Sequence, residues 1–403
     1  MAAVFILIAV RQVGRFRLKI WQIMFGGALA VVIAGQISLF DAFRAINLNV
    51  IVFLFGMFVV GEALVQSGYL ILVTRHLFSR AKNTDQLVLV LLFGMGIMSA
   101  ILMNDTLAII GTPLVLALAA SGNIRPRLLL LTLAIAITTG SVMSPIGNPQ
   151  NLLVAVNSPI SSPFIVFARY LVIPTLISLA LSYFVLRIVY SRDFSTREIS
   201  PDLEGPVDAD LTRLVKISLG LIIILAGVNI IETLIGKPMI LSLPVIALFS
   251  AAPILIFSTS RWGVVRKIDW FTLIFFGAMF ILMQSVWQSG FFQSFAGAGI
   301  ASSVPVLLGT SVFISQFISN VPFVALFQPL ILNAGGTTAQ LMALAAGSTI
   351  AGNLTILGAA SNVIIIQNAE KQGETFSFME FFRIGLPLTI LQIAVYCAFL
   401  SFI

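Results

Sequence analysis

The sequence predicts an all-α polytopic membrane protein built from two inverted repeats. About ten transmembrane helices, two re-entrant hairpins and two broken helices are expected, and three observations carry that expectation. The first is composition. Of 403 residues, 59% are hydrophobic and 9% charged, with a mean hydropathy of +1.09, whereas a soluble domain carries about 25% charged residues. The second is a pattern of interruptions. Small polar residues break apolar runs at Asn104, Asp105 and Thr106, and again at Ser144, Gly147, Asn148 and Asn151. The second half repeats this at Ser319 and Asn320, and then at Asn353, Gly358, Ser361 and Asn362. The third is the placement of Lys and Arg in short loops, where they act as topology determinants.

Membrane elements are expected near 1–10, 20–38, 47–67, 86–121, 127–156, 164–190, 214–234, 239–258, 269–288, 304–333, 339–367 and 382–402. Each contains an apolar run, and about 20 such residues cross a ~30 Å hydrocarbon core. The run 1–10 is followed by Arg11, Arg15, Arg17 and Lys19. A signal peptide has its charges first, so this is a short span or a half-buried anchor. The run 86–121 is too long for one span. Arg75, Arg80 and Lys82 flank one end and Arg125 and Arg127 the other. The positive-inside rule puts both flanks in the cytoplasm, so the run enters and leaves on one side, as a re-entrant hairpin turning at Asn104-Asp105-Thr106; two full crossings would leave the same sides, because charge fixes the sides and not the depth of the tip. The run 304–333 has uncharged flanks and is a hairpin entered from outside, turning at Ser319-Asn320. Of the 22 Lys and Arg, all but Arg44, Arg169 and Lys237 then fall on the cytoplasmic side.

The long polar connector 191–213, with Pro201, Glu204, Pro206, Asp208 and Asp210, is cytoplasmic by its Arg flanks. The chain divides into N-terminal scaffold spans (1–47), a first repeat (48–190), this linker, and a second repeat with leading scaffold spans (214–403). Gln66-Ser67-Gly68 matches Gln288-Ser289-Gly290, Asn104 matches Asn320, and Gly147 with Asn151 matches Gly358 with Asn362. Their order is kept while the offset drifts, as variable loops require. The charge pattern gives the two copies opposite orientations.

Interrupted apolar segments in corresponding places of two halves point to a secondary transporter's binding site. Bare backbone inside a membrane is tolerated where it is buried in protein or lines a cavity. At a break, free N–H and C=O groups carry opposite partial charges, and Asn side chains add donors and acceptors. Some of these Asn residues are expected only to cap half-helices. Asp105 stands out. A charge at the midplane costs about 2.5–3.5 kcal/mol on insertion scales and by default marks an ion or proton path. It is the candidate coupling residue, exchanging H⁺ or Na⁺ once per cycle. Glu62 is a second carboxylate in an apolar span and shares that candidacy. A possible Na⁺ would sit at Asn104, Gly147, Asn320 and Gly358. No other cofactor is expected.

At these residues the chain resembles the ion-transporter superfamily. That group includes the arsenite/antimonite pump ArsB, NhaD-type Na⁺/H⁺ antiporters and divalent-anion:Na⁺ symporters. The resemblance covers nearly the whole chain from about Leu48. Met103-Asn104-Asp105-Thr106, Pro145-Ile146-Gly147-Asn148-Pro149-Gln150-Asn151, Ser319-Asn320-Val321-Pro322 and Gly358-Ala359-Ala360-Ser361-Asn362 carry it. It implies a scaffold domain, a mobile transport domain with elevator-type movement, and a homodimer. Dicarboxylate symporters carry Ser-Asn-Thr at both tips. Here Asn-Asp-Thr and Ser-Asn-Val stand instead, closer to the arsenite pump.

The expected function is secondary transport of a small anion or an arsenite-like oxyacid across the cytoplasmic (inner) membrane. Na⁺/H⁺ antiport and Na⁺-coupled carboxylate or sulfate symport are the alternatives. Partners are lipid, the solute and a second copy. The net charge of +7 lacks the basic block with interleaved aromatics that would suggest nucleic acid. Gly147-Asn148-Pro149 lacks a phosphate loop's Lys, which leaves room only for a separate accessory ATPase. An aspartyl protease would need a second carboxylate facing Asp105, and no broken segment supplies one, so no enzyme is expected. Cys397 is the single cysteine, so thiolates cannot cage a soft ion.

Overall fold

The computed structural model describes residues 12–13, 16–17, 19–78, 81–194, 207–236, 241–290 and 303–403. The expected element at 1–10 lies outside the described residues. The regular elements among them are helices, apart from a short antiparallel pairing of Gln12–Val13 with Phe16–Arg17. The first half runs α1 (Ile20–Ile33), α2 (Leu39–Ala45), α3 (Leu48–Ser67), α4 (Tyr69–Phe78), α5 (Thr84–Ile101), α6 (Asn104–Gly122), α7 (Pro126–Ser141), α8 (Pro149–Val156) and α9 (Pro163–Val189). The second half runs α10 (Ala209–Leu234), α11 (Leu243–Phe257), α12 (Arg261–Lys267), α13 (Trp270–Gln288), α14 (Val304–Ile318), α15 (Asn320–Asn333), α16 (Thr338–Leu354), α17 (Ala360–Glu370) and α18 (Phe378–Phe402).

Helix lengths recur in order. α1, α2 and α3 have 14, 7 and 20 residues; α11, α12 and α13 have 15, 7 and 19. Packing recurs as well. α3 lies against α11 and α1 against α13; α5 packs on α7, and α14 on α16. α17 packs on α6, and α8 on α15, so each broken helix's second half meets the other half's hairpin.

Among the described residues, seven helices are long and apolar enough to cross a membrane: α3, α5, α6, α9, α10, α13 and α18. α1, α7, α11, α14 and α15 are shorter apolar helices. The arms of the first hairpin, with 18 and 19 residues, are about 27 and 28 Å long. Length alone therefore does not halt its tip halfway. The second hairpin's arms are shorter, at 15 and 14 residues.

The structure moves several predicted boundaries. The first hairpin turns at Leu102-Met103, so Asn104 and Asp105 already lie in the first turn of α6. The linker ends before residue 213. The Asp208 side chain accepts from Leu211 N, starting α10 at Ala209, and the Asp208 N–H donates to the Ser67 carbonyl at 3.1 Å. α2, α4 and α12 are short and each contains at least one charged residue, so they do not register as apolar runs.

Helices approach closely where side chains are small, as membrane bundles require. A Cβ on Gly140 of α7 would fall on the Gly96 backbone of α5. In the second half, a Cβ on Gly347 of α16 would lie 2.7 Å from the Ser311 Cβ of α14. Gly56 of α3 meets the Ala247 carbonyl of α11 in the same way.

Candidate functional site

The breaks form for local reasons. α7 ends at Ser141, and the chain passes Pro145 and Gly147 before α8 starts with Pro149 at its first position. Proline suits that position because its missing N–H would have no intrahelical partner there. Asn148 is the N-cap, and its Oδ1 accepts from Asn151 N at 2.9 Å. Gly147 is fitted tightly. An added Cβ would lie 2.5 Å from the Ser141 carbonyl and 3.0 Å from that of Ser99 in the hairpin arm. In the second half, Gly358 meets the Ala351 carbonyl and Gln316 Oε1 of α14 in the same manner.

Several predicted site residues prove to hold the breaks together. Asn151 Nδ2 donates to the Ser141, Val142 and Ser144 carbonyls at 3.0–3.1 Å, satisfying the end of α7. Asn362 Nδ2 donates to the Gly352 carbonyl at the end of α16. Asn148 Nδ2 reaches Ser141 Oγ at 2.9 Å and Thr349 Oγ1 at 3.3 Å. Ser144 Oγ accepts from Ile146 N. Asn353 is fully buried and donates to Thr139 Oγ1 and Gln392 Oε1, both at 2.9 Å, inside the core. Of this group, Asn148, Asn151 and Asn362 act as caps, as Asn at such positions commonly does.

The tip residues differ. Asn104 N donates to the Gly147 carbonyl at 3.0 Å, fastening the first hairpin to the first break. Asn104 and Asn320 are buried, and the Oδ1 of each has no donor among the described residues. Asn362 Oδ1 and Ser361 Oγ are in the same condition. Such atoms are costly in a dry interior. Thr106 packs on α3, where a Cβ on Gly61 would lie 2.9 Å from its Oγ1. Glu62, beside that glycine, is half-buried, accepts from Gln66 Nε2 at 2.7 Å and lies near Lys267. It does not line the cavity described next.

A cavity of about 600 Å³ gathers Asp105 and Ser319 from the two tips with Pro149 and Ala360 from the starts of α8 and α17. Its opposite wall is α1 and α13, with Lys19, Trp21, Asp269, Phe271 and Thr272. Trp21 stacks on Phe271 at 4.8 Å, and Lys19 Nζ lies 5.5 Å from the Phe271 ring centre. Asp105 has no hydrogen-bonding or ion-pair partner among the described residues, and Asp269 is a like charge acting on it. Asp105, Ser319 and the start of each broken helix's second half therefore meet; Asn353 and Glu62 stand apart.

The sequence reading missed the wall of α1 and α13, although Asp269 beside an aromatic run was visible. It also missed Thr349, which bonds Asn148 and Asn151, and Gln316. Gln316 donates to the Ala351 carbonyl and accepts from Thr355 Oγ1. A hydroxyl or amide inside an apolar helix was the only signal for either.

Ser319 makes the second turn alone, at φ 71°, ψ 155°. That region is essentially reserved for glycine and costs a substituted residue about 1–3 kcal/mol. Ser319→Gly is expected to stabilise the protein by about 1 kcal/mol, read as a higher unfolding midpoint in detergent, and to weaken transport. A lower midpoint would mean that the serine's contacts outweigh its strain.

The comparisons agree with this architecture. The YdaH transporter of Alcanivorax borkumensis superposes with a TM-score of 0.60 at 15% identity, covering 93% of this chain and 87% of that one. An uncharacterized transporter of Mycobacterium tuberculosis is 28% identical, over 93% of this chain and 91% of its own length. The silicon efflux transporter LSI3 of Oryza sativa is 25% identical, over 92% and 90%. Residues 3–340 match the citrate transporter family CitMHS. The protein is a multi-pass membrane transporter and belongs to the CitMHS citrate transporter family, within the ArsB/NhaD-like ion-transporter superfamily.

Proposed function

We propose that this chain is a secondary active transporter that moves a small oxyacid or small anion, coupled to H⁺ or Na⁺ through Asp105. The observation that carries the reading is the cavity in which an unpartnered intramembrane carboxylate meets both hairpin tips and both break helices. Ionisable residues so placed mark ion and proton paths, and facing helix starts offer N–H donors to a polar solute. The cavity's charges favour a neutral or weakly charged solute. Lys19 stands against Asp105 and Asp269 among the described lining residues. A di- or tricarboxylate would require more cations than that. The similarity to a silicon efflux transporter points the same way.

Na⁺ coupling is a second reading. It is favoured by the donorless oxygens of Asn104, Asn320 and Asn362, since hard cations take oxygen ligands. The recurrence of helix lengths and the crossed packing of breaks on hairpins support two inverted repeats. The seam at Gly61 and Thr106 suits a transport unit that slides on a scaffold, in elevator fashion. The apolar groove among α1, α2 and α13, with Phe25, Leu29 and Phe43, suits a homodimer in the cytoplasmic membrane.

Proteoliposome flux tests this reading against arsenite, silicate, sulfate, succinate and citrate, with imposed pH or Na⁺ gradients. The expected result is saturable flux and counterflow of a neutral oxyacid, driven by one of the two gradients. Flux confined to citrate or succinate would overturn the oxyacid assignment. Flux that never saturates would indicate a channel.

A further inference from the structure

We propose that a basic pocket at the ends of α7, α9 and α18 binds the phosphate headgroup of an anionic phospholipid. The pocket, about 320 Å³, shares no lining residue with the Asp105 cavity. Arg125 before α7, Arg192 after α9 and Arg383 in the first turns of α18 line it, with Asp193 and Glu380. The two acids are already answered. Arg125 Nε pairs with Asp193 at 2.9 Å, and Arg127 Nη1 with Glu380 at 2.7 Å. Arg192 and Arg383 have no carboxylate partner among the described residues. Two guanidinium forks without a carboxylate partner among the described residues match the oxygens of a phosphodiester.

Tyr190 adds a neutral donor to the pocket. Burial chiefly, and then the Glu380 and Asp193 carboxylates, push its phenol above the usual range, so it keeps its proton. The adjoining surface distinguishes a lipid from free phosphate. Ile188, Phe378 and Met379 sit next to pocket residues on the same helices and are 76%, 48% and 66% exposed. They give an acyl chain an apolar track that inorganic phosphate would not use. The pocket lies on the Arg-rich face, which the charge pattern puts on the cytoplasmic side, where anionic lipids attract basic residues.

Native mass spectrometry of the full chain in detergent, titrated with phosphatidylglycerol, tests the proposal. Wild type is expected to retain phosphatidylglycerol but not phosphatidylcholine. The R192Q/R383Q variant should bind it roughly thirtyfold more weakly, and Arg213→Gln, elsewhere on the same face, should bind it normally. Millimolar inorganic phosphate should not displace the lipid. Equal binding by R192Q/R383Q, an equal loss in Arg213→Gln, or displacement by inorganic phosphate would each overturn the assignment. Should R192Q/R383Q fail to fold, photoactivatable phosphatidylglycerol on wild type decides the matter. Crosslinks within 188–193 and 378–384 support the site, and crosslinks only elsewhere reject it.

Discussion

Asp105→Asn is expected to abolish ion-driven net flux while leaving the protein folded in the membrane. The substitution keeps the side chain's shape and removes its charge. Asp105 has no ion pair to break among the described residues, so the variant strands no buried counter-charge. It also removes a carboxylate that lies in the cavity without a partner among the described residues, where a charge is costly. The fold should therefore be at least as stable, with an unchanged elution profile and helical content. On the proposed reading, what is lost is the group that takes up and gives back the coupling ion. Solute counterflow, which needs binding but no net ion movement, should persist at reduced rate. Gradient-driven uptake should fall to that of protein-free vesicles. If the variant still responded normally to pH or Na⁺ gradients, the coupling role would be lost and Asp105 would be a helix-start charge only.

Gly140→Ala should produce the largest stability loss. The new methyl would lie far inside van der Waals contact of the Gly96 carbonyl oxygen and Cα, and backbone cannot step aside as a side-chain tip can. α5 and α7 would have to separate along a seam buried at Leu91, Met95, Ala136 and Ile137. Overpacking of a tight core costs about 1–3 kcal/mol, occasionally more. Separating two helix backbones belongs at the upper end. The expected outcome is a markedly lower unfolding midpoint and poor yield in detergent. Because Ser99 of α5 also donates to the Ile137 carbonyl at 2.7 Å, the tip above should loosen as well. A variant as stable as wild type would show that the crossing has slack.

The polar interruptions were legible because water-seeking residues in an apolar run demand a cause. Asn104, Asp105, Gly147, Ser319 and Gly358 were found that way, and the structure gathers Asp105 and Ser319 around one cavity. The roles of the other amides were not legible. Asn151 and Asn362 look identical to a ligand-binding Asn in sequence, yet their donors close helix ends. That distinction depends on which carbonyls a break leaves bare, a matter of three-dimensional turn geometry. The far wall was hidden for a different reason. Lys19, Trp21 and Asp269 lie at the starts of helices distant in sequence, and only packing of α1 on α13 brings them together. The short α2, α4 and α12 escaped because each is too brief for its apolar content to stand out.

The bond from Asn104 N to the Gly147 carbonyl has a thermodynamic consequence. It ties the hairpin to the break, so on the proposed elevator reading the two would travel together and carry the same tip and break groups to either face. Whatever affinity those moving groups supply would then be equal inside and out, and only the wall of α1 and α13 could make the two faces differ. A carrier of that kind would have no ratchet in its moving part and would run forwards or backwards as the solute and coupling-ion gradients dictate.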